Sequence, residues 1–454
     1  MTKKEIRLGI VGNVDVGKTS LISVLTNNIL DNGRGSARKM VMKHPHEVSS
    51  GRTSSITLNF MRTYFNSEEE LKDLSSTPIL TYNEAKSNHF INNKKKLKNN
   101  IKTICIDNKD DYQNEKVINL IDLAGHEKYL KTTIRGINGC LVDYVCVLVG
   151  ANSGIQRMTK EHLGIAFALK LPIIIIITKI DMAPKNILAE TMKGIKKIFK
   201  KRNIKTINMI DTNDIGIMKE FYKSGSYKSI IPIFKVSSLS GDGLTLLKQF
   251  IFNLEPHINY TDKIDKKPHF IIESTFQIKG LGIVVSGTMK EGFVKKGDIL
   301  KLGPYKGVFL DVIIKSIHNN FKEDIDFLSA GEGGCFCIKL APSSVNKKIE
   351  LKRNTIKKGM RVMKDIEFYY EFDAEVLILH HPTTIKMNYQ PTIHCGTITQ
   401  TAKICKMDNE IMRTGDKSKI KFRFMHRPEY IEKNNYLVFR EGNTKGIGKV
   451  INVY

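Results

Sequence analysis

The sequence predicts an α/β domain, with a mainly parallel sheet covered by helices on both faces, followed by two all-β units of barrel type. Three observations predict it. Up to about residue 258, short apolar runs alternate with helical patterns. After the polar stretch PHINYTDKIDKKP the long helical patterns stop, and short alternating runs with glycine turns take over, as in GIVVSGTMKEGFVKKGDILKLGP. The stretch IKKGMRVMKDIE reads as a second seam. The expected domains are therefore 1–258, 259–365 and 366–454, a division that suits a chain of 454 residues, too long for one compact core.

In order along the first domain, the predicted strands are EIRLGIVG, KVINLIDLAG, DYVCVLVG, LPIIIIITKID and IPIFKVSS. The predicted helices are TSLISVLTN, MTKEHLGIAFALK, NILAETMKGIKKIFKKRN and GLTLLKQFIFNL. Near-continuous apolar strands are what a sheet buried on both faces requires. Ligands of such sheets bind at the carboxyl ends of the strands, so motifs are expected where strands stop. One segment breaks the rhythm. From about 66 to 116 the chain is polar and includes KSNHFINNKKKLKNNIK, which reads as a partly disordered, solvated insertion between two strands.

Composition narrows the class. Lys and Arg total 72 against 46 Asp and Glu, a formal charge of +26, with a pI near 9.6. That excess makes a polyanion a natural partner, and nucleic acid is the expected one. Cys105, Cys140, Cys146, Cys335, Cys337, Cys395 and Cys405 form no CxxC pair and have no ligand-like histidine spacing. Reduced, mostly buried thiols in a cytoplasmic protein are expected. No signal peptide is expected, because MTKKEIRLGIVG leads directly into the first motif. The longest apolar run, LPIIIIIT, is far short of a membrane helix.

The first motif is Gly12-Asn13-Val14-Asp15-Val16-Gly17-Lys18-Thr19, followed by Ser20, which fits GxxxxGK[ST] between a strand and a helix. In such a P-loop the glycines let backbone N–H groups face phosphates, and Lys18 carries charge to the β and γ oxygens. Thr19 offers its hydroxyl to Mg²⁺, and the following helix points its positive end at the anion. Next comes IDLAGHEKY at the end of a strand. Asp122 there is placed to hold Mg²⁺, and the Gly125 N–H to sense a γ-phosphate. His126, directly after the glycine, is the candidate for positioning an attacking water.

Thr178-Lys179-Ile180-Asp181-Met182 ends another strand. A carboxylate at Asp181 can accept from guanine N1 and N2, whereas adenine offers neither donor, a mismatch worth roughly 10⁴-fold in selection. Lys179 would lay its stem along the base. In VSSLSGDGL, Ser237 and the Ser238 and Leu239 backbone could cap the guanine oxygen. Guanine nucleotides, GTP and GDP, are thus expected. The polar stretch DNGRGSARKMVMKHPHEVSSGRTSSI is the expected γ-phosphate loop, with Ser55 and Thr53 competing to complete the Mg²⁺ shell.

Together GNVDVGKTS, DLAGHEKY, TKID and VSSLSGDG resemble the translational GTPases of the elongation factor Tu and elongation factor 1A type. DNGRGSAR, HEVSSGRTSS, DLAGHEKYLKTTIRG, RTGDKSKIKFRF, RPEYI and FREGNTKGIGKV are closest to the eukaryotic GTP-binding protein one and two family within that group. The likeness runs from about Ile6 to the last residue, apart from the insertion. Members usually carry extra sequence before the phosphate loop, and this chain has almost none. The resemblance implies a P-loop GTPase domain followed by two β-barrels, working as a switch that delivers or binds aminoacyl-tRNA and hydrolyses GTP under stimulation by the ribosome; a monomer is expected. It implies nucleotide and Mg²⁺ roles for Asp15, Lys18, Thr19, Ser55, Asp122, Gly125, Thr178, Lys179, Asp181 and Ser237, and a catalytic role for His126.

Three departures from the family pattern stand out. Elongation factors commonly read GHVDHGK, so Asn13 and Val16 replace histidines. Where they read RGITI, Ser55 takes the Mg²⁺-binding hydroxyl, and Ser54 replaces an isoleucine that, with the residue matching Val14, screens the histidine. Thr178 replaces an asparagine, which is expected to weaken one tether to the base. Two rival readings are an RNA-decay or RNA-stability adaptor with incidental hydrolysis, and an initiation or sulfate-activation type GTPase, which shares the three-domain plan.

Overall fold

The computed structural model describes residues 2–42, 44–50, 53–67, 70–72, 79–83, 112–211, 214–216, 229–305, 308–342, 351–365, 367–442 and 444–454. They fall into two compact units, one of residues up to Ile137 with Val142–Ile258, the other of Asn138–Leu141 with Asn259–Tyr454.

The first unit is built on an eight-stranded sheet. Its strands are β1 (Thr2–Gly12), β2 (Thr57–Phe65), β3 (Ile79–Asn83), β4 (Asn114–Asp122), β5 (Tyr144–Gly150), β6 (Ile173–Thr178), β7 (Lys205–Asn208) and β8 (Ile230–Lys235). Across the sheet they run β3-β2-β4-β1-β5-β6-β8-β7. From β4 to β7 every neighbour is parallel, while β2 is antiparallel to both β4 and β3. The five predicted strands are β1, β4, β5, β6 and β8. All six residues of β6, IIIIIT, are buried. Each such isoleucine contributes about 1.5–3 kcal/mol of burial.

β2 lies outside the predicted runs because its sequence, TLNFMRTYF, mixes polar and apolar residues, yet all nine are buried. Arg62 is paired within the sheet, its Nε with Glu115 Oε1 at 2.9 Å and its Nη1 donating to Tyr64 OH at 2.7 Å, whereas the Asn59 side-chain amide is buried without a hydrogen-bond partner. The expected insertion also gives structure at its two ends. It supplies β3 to the sheet edge, and β4 already begins at Asn114. The lysine-rich part of that insertion, together with Cys105, lies outside the described residues.

Among the described residues the helices of this unit include α1 (Lys18–Asn27), α2 (Pro45–Ser50), α3 (Leu130–Gly139), α4 (Arg157–Ala168), α5 (Lys185–Lys200) and α6 (Leu244–Asn253). Four of them were legible as periodic runs. α3, LKTTIRGING, is obscured by two glycines, of which Gly136 is needed because a Cβ there would collide with Leu123 Cδ2.

The second unit contains two closed rings of six strands. The first runs Ile299–Tyr305, Arg361–Met363, His269–Ile278, Gly282–Glu291, Gly333–Leu340 and Val308–Asn319, which pairs back to Ile299–Tyr305. The second closes through Glu371–His380, Lys417–Phe424, Ile398–Met407, Thr392–Cys395, Tyr436–Glu441 and Thr444–Val453. Closure leaves no free edge in either ring, and side chains fill each interior, around Phe336 and Val285 in one and Phe422 and Ile404 in the other. Buried Arg361 of the first ring donates to His269 Nε2 at 2.7 Å, and also reaches Tyr430 of the second at 3.5 Å from its carbonyl. The six described cysteines are unbridged. Among the described residues no helix is long and apolar enough to cross a membrane.

Candidate nucleotide site

β1 ends at Gly12 and α1 starts at Lys18, so five residues turn the chain between them. The turn depends on glycine. A Cβ on Gly12 would stand 2.7 Å from the Leu148 carbonyl oxygen, and Gly17 has a left-handed φ of +84°. Lys18 is buried and its Nζ donates to the Asn13 carbonyl at 2.7 Å and the Gly12 carbonyl at 3.2 Å. Across from the loop, a Cβ on Gly125 would collide with Lys18 Nζ and with the Gly12 carbonyl, so the two motifs are in close contact.

A cavity opens here, lined by Val14, Asp15, Gly17, Lys18, Thr19 and Ser20. Three other segments contribute to it: Arg38, Thr53, and Gly125 with His126. Buried Asp122 sits behind it. Its Oδ2 accepts from Thr19 Oγ1 at 2.7 Å and from Thr53 Oγ1 at 3.2 Å, and the two threonine hydroxyls are 2.8 Å apart. Asp122 Oδ1 is buried without a hydrogen-bond partner. Burial pushes the Asp122 carboxyl up to about 6, against the Lys18 charge and the two hydroxyls. Burial likewise brings the Lys18 amine down to about 8, against Asp122 and Asp15. An orphaned carboxylate oxygen beside two hydroxyls is an all-oxygen donor set suited to a hard cation such as Mg²⁺. A buried lysine whose charge desolvation disfavours gains most from a polyphosphate.

Ser55 and Thr53 were the contenders for the loop hydroxyl, and in this structure it is Thr53 Oγ1 that lies against Thr19 and Asp122. Glu47 of α2 explains the difference. It is fully buried, and its Oε1 accepts from Ser54 N and Oγ, each at 2.8 Å, and from Ser55 N and Oγ, each at 3.1 Å. Ser54 also lies 3.0 Å from His46 Nε2, so it is engaged with α2. Val14 lines the cavity alone of the two expected screening residues.

His126 lines the cavity, half-buried, and its Nδ1 accepts from the Lys128 amide at 3.1 Å. That bond caps the short turn Glu127–Tyr129. By this hydrogen bond, the neutral ring carries its proton on Nε2.

The base-reading motifs lie at the ends of β6 and β8. Thr178 Oγ1 donates to the Val16 carbonyl at 2.6 Å, so the residue replacing asparagine ties its strand to the phosphate loop. Lys179, at φ +60°, brings its Cε within 4.0 Å of where a Gly17 Cβ would be. Asp181 is exposed, and its Oδ1 accepts from Ser237 Oγ at 2.5 Å. Met182 is exposed beside it. The Leu239 amide, expected to face the base, donates to Ser237 Oγ at 3.1 Å, which leaves the Ser238 amide as the one of the pair that Ser237 does not engage.

Residues 3–257 match the family described as Elongation factor Tu GTP binding domain, and residues 371–439 match GTP-eEF1A C-terminal domain-like. The chain belongs to the translational GTPases of the elongation factor Tu type. It is 39% identical to GTP-binding protein 1 of Xenopus laevis over 98% of this chain and 63% of that protein. To human GTP-binding protein 2 it is 34% identical over 99% of this chain and 69% of that protein. It thus spans about two thirds of the length of these relatives. The fold is similar to that of a bacterial selenocysteine-specific elongation factor, with a TM-score of 0.66 at 21% identity, covering 98% of this chain and 58% of that one. It is also similar to elongation factor SelB of Methanococcus maripaludis in complex with the GTP analogue GPPNHP, with a TM-score of 0.62 at 18% identity, covering 100% of this chain and 80% of that one.

Two residues of this GTPase site were not singled out from sequence. Both lie in the stretch expected to be the γ-phosphate loop, where only Ser55 and Thr53 were picked out: Arg38 is one of several cations there, and Glu47 is one acid in a polar run. The nearest sequence signal for Glu47 was the pair of serines it binds, seven and eight residues on.

Proposed function

We propose that the chain binds GTP and GDP with Mg²⁺ in this cavity, hydrolyses GTP, and acts as an elongation-factor-like switch whose GTP form holds aminoacyl-tRNA until the ribosome stimulates hydrolysis. The observation that carries this reading is the convergence of Lys18, Thr19, Thr53, Asp122 and His126 around one cavity. Lys18 neutralises the β and γ oxygens, and Thr19 and Asp122 hold the cation together with a hydroxyl of the 53–55 segment. Mg²⁺, when bound, would draw charge off the phosphates. Asp181, braced by Ser237, reads guanine. His126 orients the attacking water from Nε2, at a distance from the phosphate that a partner must set.

The tRNA part of the reading rests on the net charge of +26 and on relatives that include a selenocysteine-specific elongation factor and elongation factor 1-alpha. Phosphate contacts release counterions, so affinity for tRNA should fall with salt. The test is binding of aminoacyl-tRNA to one preparation loaded with a non-hydrolysable GTP analogue or with GDP. Tighter binding in the analogue form is expected. Equal binding in both forms rejects the delivery role, and stronger retention of ATP than GTP rejects the nucleotide assignment.

A further inference from the structure

Within the cavity, one cation other than Lys18 comes from the polar stretch expected to be the γ-phosphate loop, where the sequence named no role for it. Arg38 lines it alongside Lys18, Thr19, Gly125 and His126. Its backbone is held from several sides. The preceding residue, Ala37, is 1% exposed and packed into the core of the unit. Its carbonyl accepts from Ser23 Oγ of α1 at 2.6 Å, and its amide donates to Asp31 Oδ1 at 2.8 Å. Asp31 in turn donates its own amide to the Ser238 carbonyl at 2.9 Å, which ties this loop to the base-reading loop. The side chain folds back over Gly35, where a Cβ would stand 2.5 Å from Arg38 Nε and 2.9 Å from its Cζ. Gly35 also has a left-handed φ of +79°, a backbone conformation that favours glycine.

We propose that Arg38 is a second phosphate-binding cation, supplied in cis, that contacts the phosphate chain of the nucleotide and stabilises the charge of the transferring γ-phosphoryl group. The inference rests on the nucleotide reading above and deepens it. A planar guanidinium matches phosphate oxygens in bidentate fashion, which the single ammonium of Lys18 does not. In hydrolysis the water oxygen bonds to the γ-phosphorus, and the bond to the β–γ bridging oxygen breaks with its electron pair leaving on GDP. The proton of the water ends on phosphate, so Arg38 moves no proton and contributes charge alone. Such a contribution is largest where charge spreads over the equatorial and leaving oxygens.

The test compares the wild-type full chain with Arg38→Ala and Arg38→Lys. GTP and GDP affinities, single-turnover hydrolysis and retention of GDP with aluminium fluoride are measured, with thermal midpoints of the nucleotide-free proteins as the check on folding. Expected for Arg38→Ala are a hydrolysis rate lower by roughly 10²–10³-fold, loss of aluminium fluoride retention, and GDP affinity within a few-fold of wild type. Arg38→Lys is expected to keep the thermal midpoint and GTP affinity but to recover little of the rate, since it lacks the fork. Wild-type hydrolysis and aluminium fluoride retention in Arg38→Ala would overturn the inference. Failure of the wild type itself to bind GTP would instead remove the nucleotide reading.

Discussion

Ser237 Oγ donates a 2.5 Å hydrogen bond to Asp181 Oδ1, joining the loop after β8 to the loop after β6. The same oxygen accepts from the Leu239 and Ser240 amides at 3.1 and 3.0 Å. A carboxylate that is otherwise exposed is thereby aimed before any base arrives. Asp181→Asn replaces an acceptor with a donor facing guanine N1 or N2. GTP affinity is expected to fall by about 10²-fold or more, because the paired donors of the base then meet no carboxylate. Ser237→Ala removes only the aim and should cost about tenfold, the value of one charge-assisted hydrogen bond. Competition against a fluorescent GDP reads both, and unchanged affinity in Asp181→Asn would end the base-reading role.

Thr178 Oγ1 reaches the Val16 carbonyl at 2.6 Å. Thr178→Val keeps the shape and removes the donor, leaving a carbonyl of the phosphate loop without its partner. Such a loss costs about 1–3 kcal/mol where the group is buried. The expected outcome is GDP dissociation faster by about fivefold or more in stopped-flow chase, with the thermal midpoint lowered by a few degrees. If dissociation is unchanged, the tether does not support the phosphate loop.

The alternation of apolar and helical patterns made the central strands and four helices legible, because β5 and β6 are buried throughout and read as unbroken apolar runs. β2 was not legible by the same rule, since its polar Asn59, Arg62 and Thr63 are all buried, Arg62 through a pair with Glu115 that a pattern cannot foresee. Contiguous motifs named Lys18, Thr19, Asp122 and His126, which the structure brings to one cavity, and Asp181, which it places beside Ser237. Spacing did not decide between Thr53 and Ser55, because their positions depend on Glu47, which reaches Ser54 and Ser55 from α2. Arg38 escaped for the same reason. Its place in the cavity depends on contacts with Ser23 and Asp31 that flank it through Ala37.

His126 accepts from the Lys128 amide through Nδ1, so its Nε2 is the nitrogen left for water or phosphate. His126→Ala is expected to keep GTP affinity within about twofold and to lose ribosome-stimulated turnover by roughly 10²–10⁴-fold, the usual range for a positioned acid–base group. His126→Gln, which offers an acceptor and a donor at similar reach, should retain part of that rate. Equal stimulated rates in His126→Ala and wild type would remove His126 from the reaction.

Lys18 is brought down to about 8 by burial in the nucleotide-free protein. Phosphate restores its charge, so binding takes up a proton wherever the free amine has lost one. Affinity for GTP should therefore be flat below about pH 8 as far as Lys18 is concerned, and should fall as pH rises above it. At pH 9 roughly a tenfold loss relative to pH 7 follows from one proton per binding event. The sign for stability is the reverse. A lysine with a lowered folded value destabilises the free protein while it must be charged, so this contribution eases as pH rises from about 8 towards 10.5. Isothermal titration in buffers of different ionisation enthalpy reads the proton directly, and a pH-independent affinity between 7 and 9.5 would contradict the assignment.

Glu47 is buried, and burial alone would raise its carboxyl. The hydrogen bonds from Ser54 and Ser55 outweigh that and hold it below its ordinary value of 4.5. A carboxylate lowered in this way stabilises the fold above the unfolded value, and the contribution is lost as pH falls through the lower folded one. Glu47→Ala removes the acceptor of four donors at once, so segment 53–56 should loosen while the sheet stays intact. Limited proteolysis of the nucleotide-free protein is expected to cut at 44–56 at least several-fold faster in Glu47→Ala than in wild type. Glu47→Gln keeps an acceptor oxygen without the charge and should fall between the two. With the brace gone, Ser55 is also free to compete with Thr53 for the cation. Adding Thr53→Val to each background separates the two hydroxyls: Mg²⁺-dependent slowing of the release of a non-hydrolysable GTP analogue should be weakened by Thr53→Val in the wild-type background and less so beside Glu47→Ala. Identical proteolysis rates in wild type and Glu47→Ala would show that Glu47 does not hold this segment.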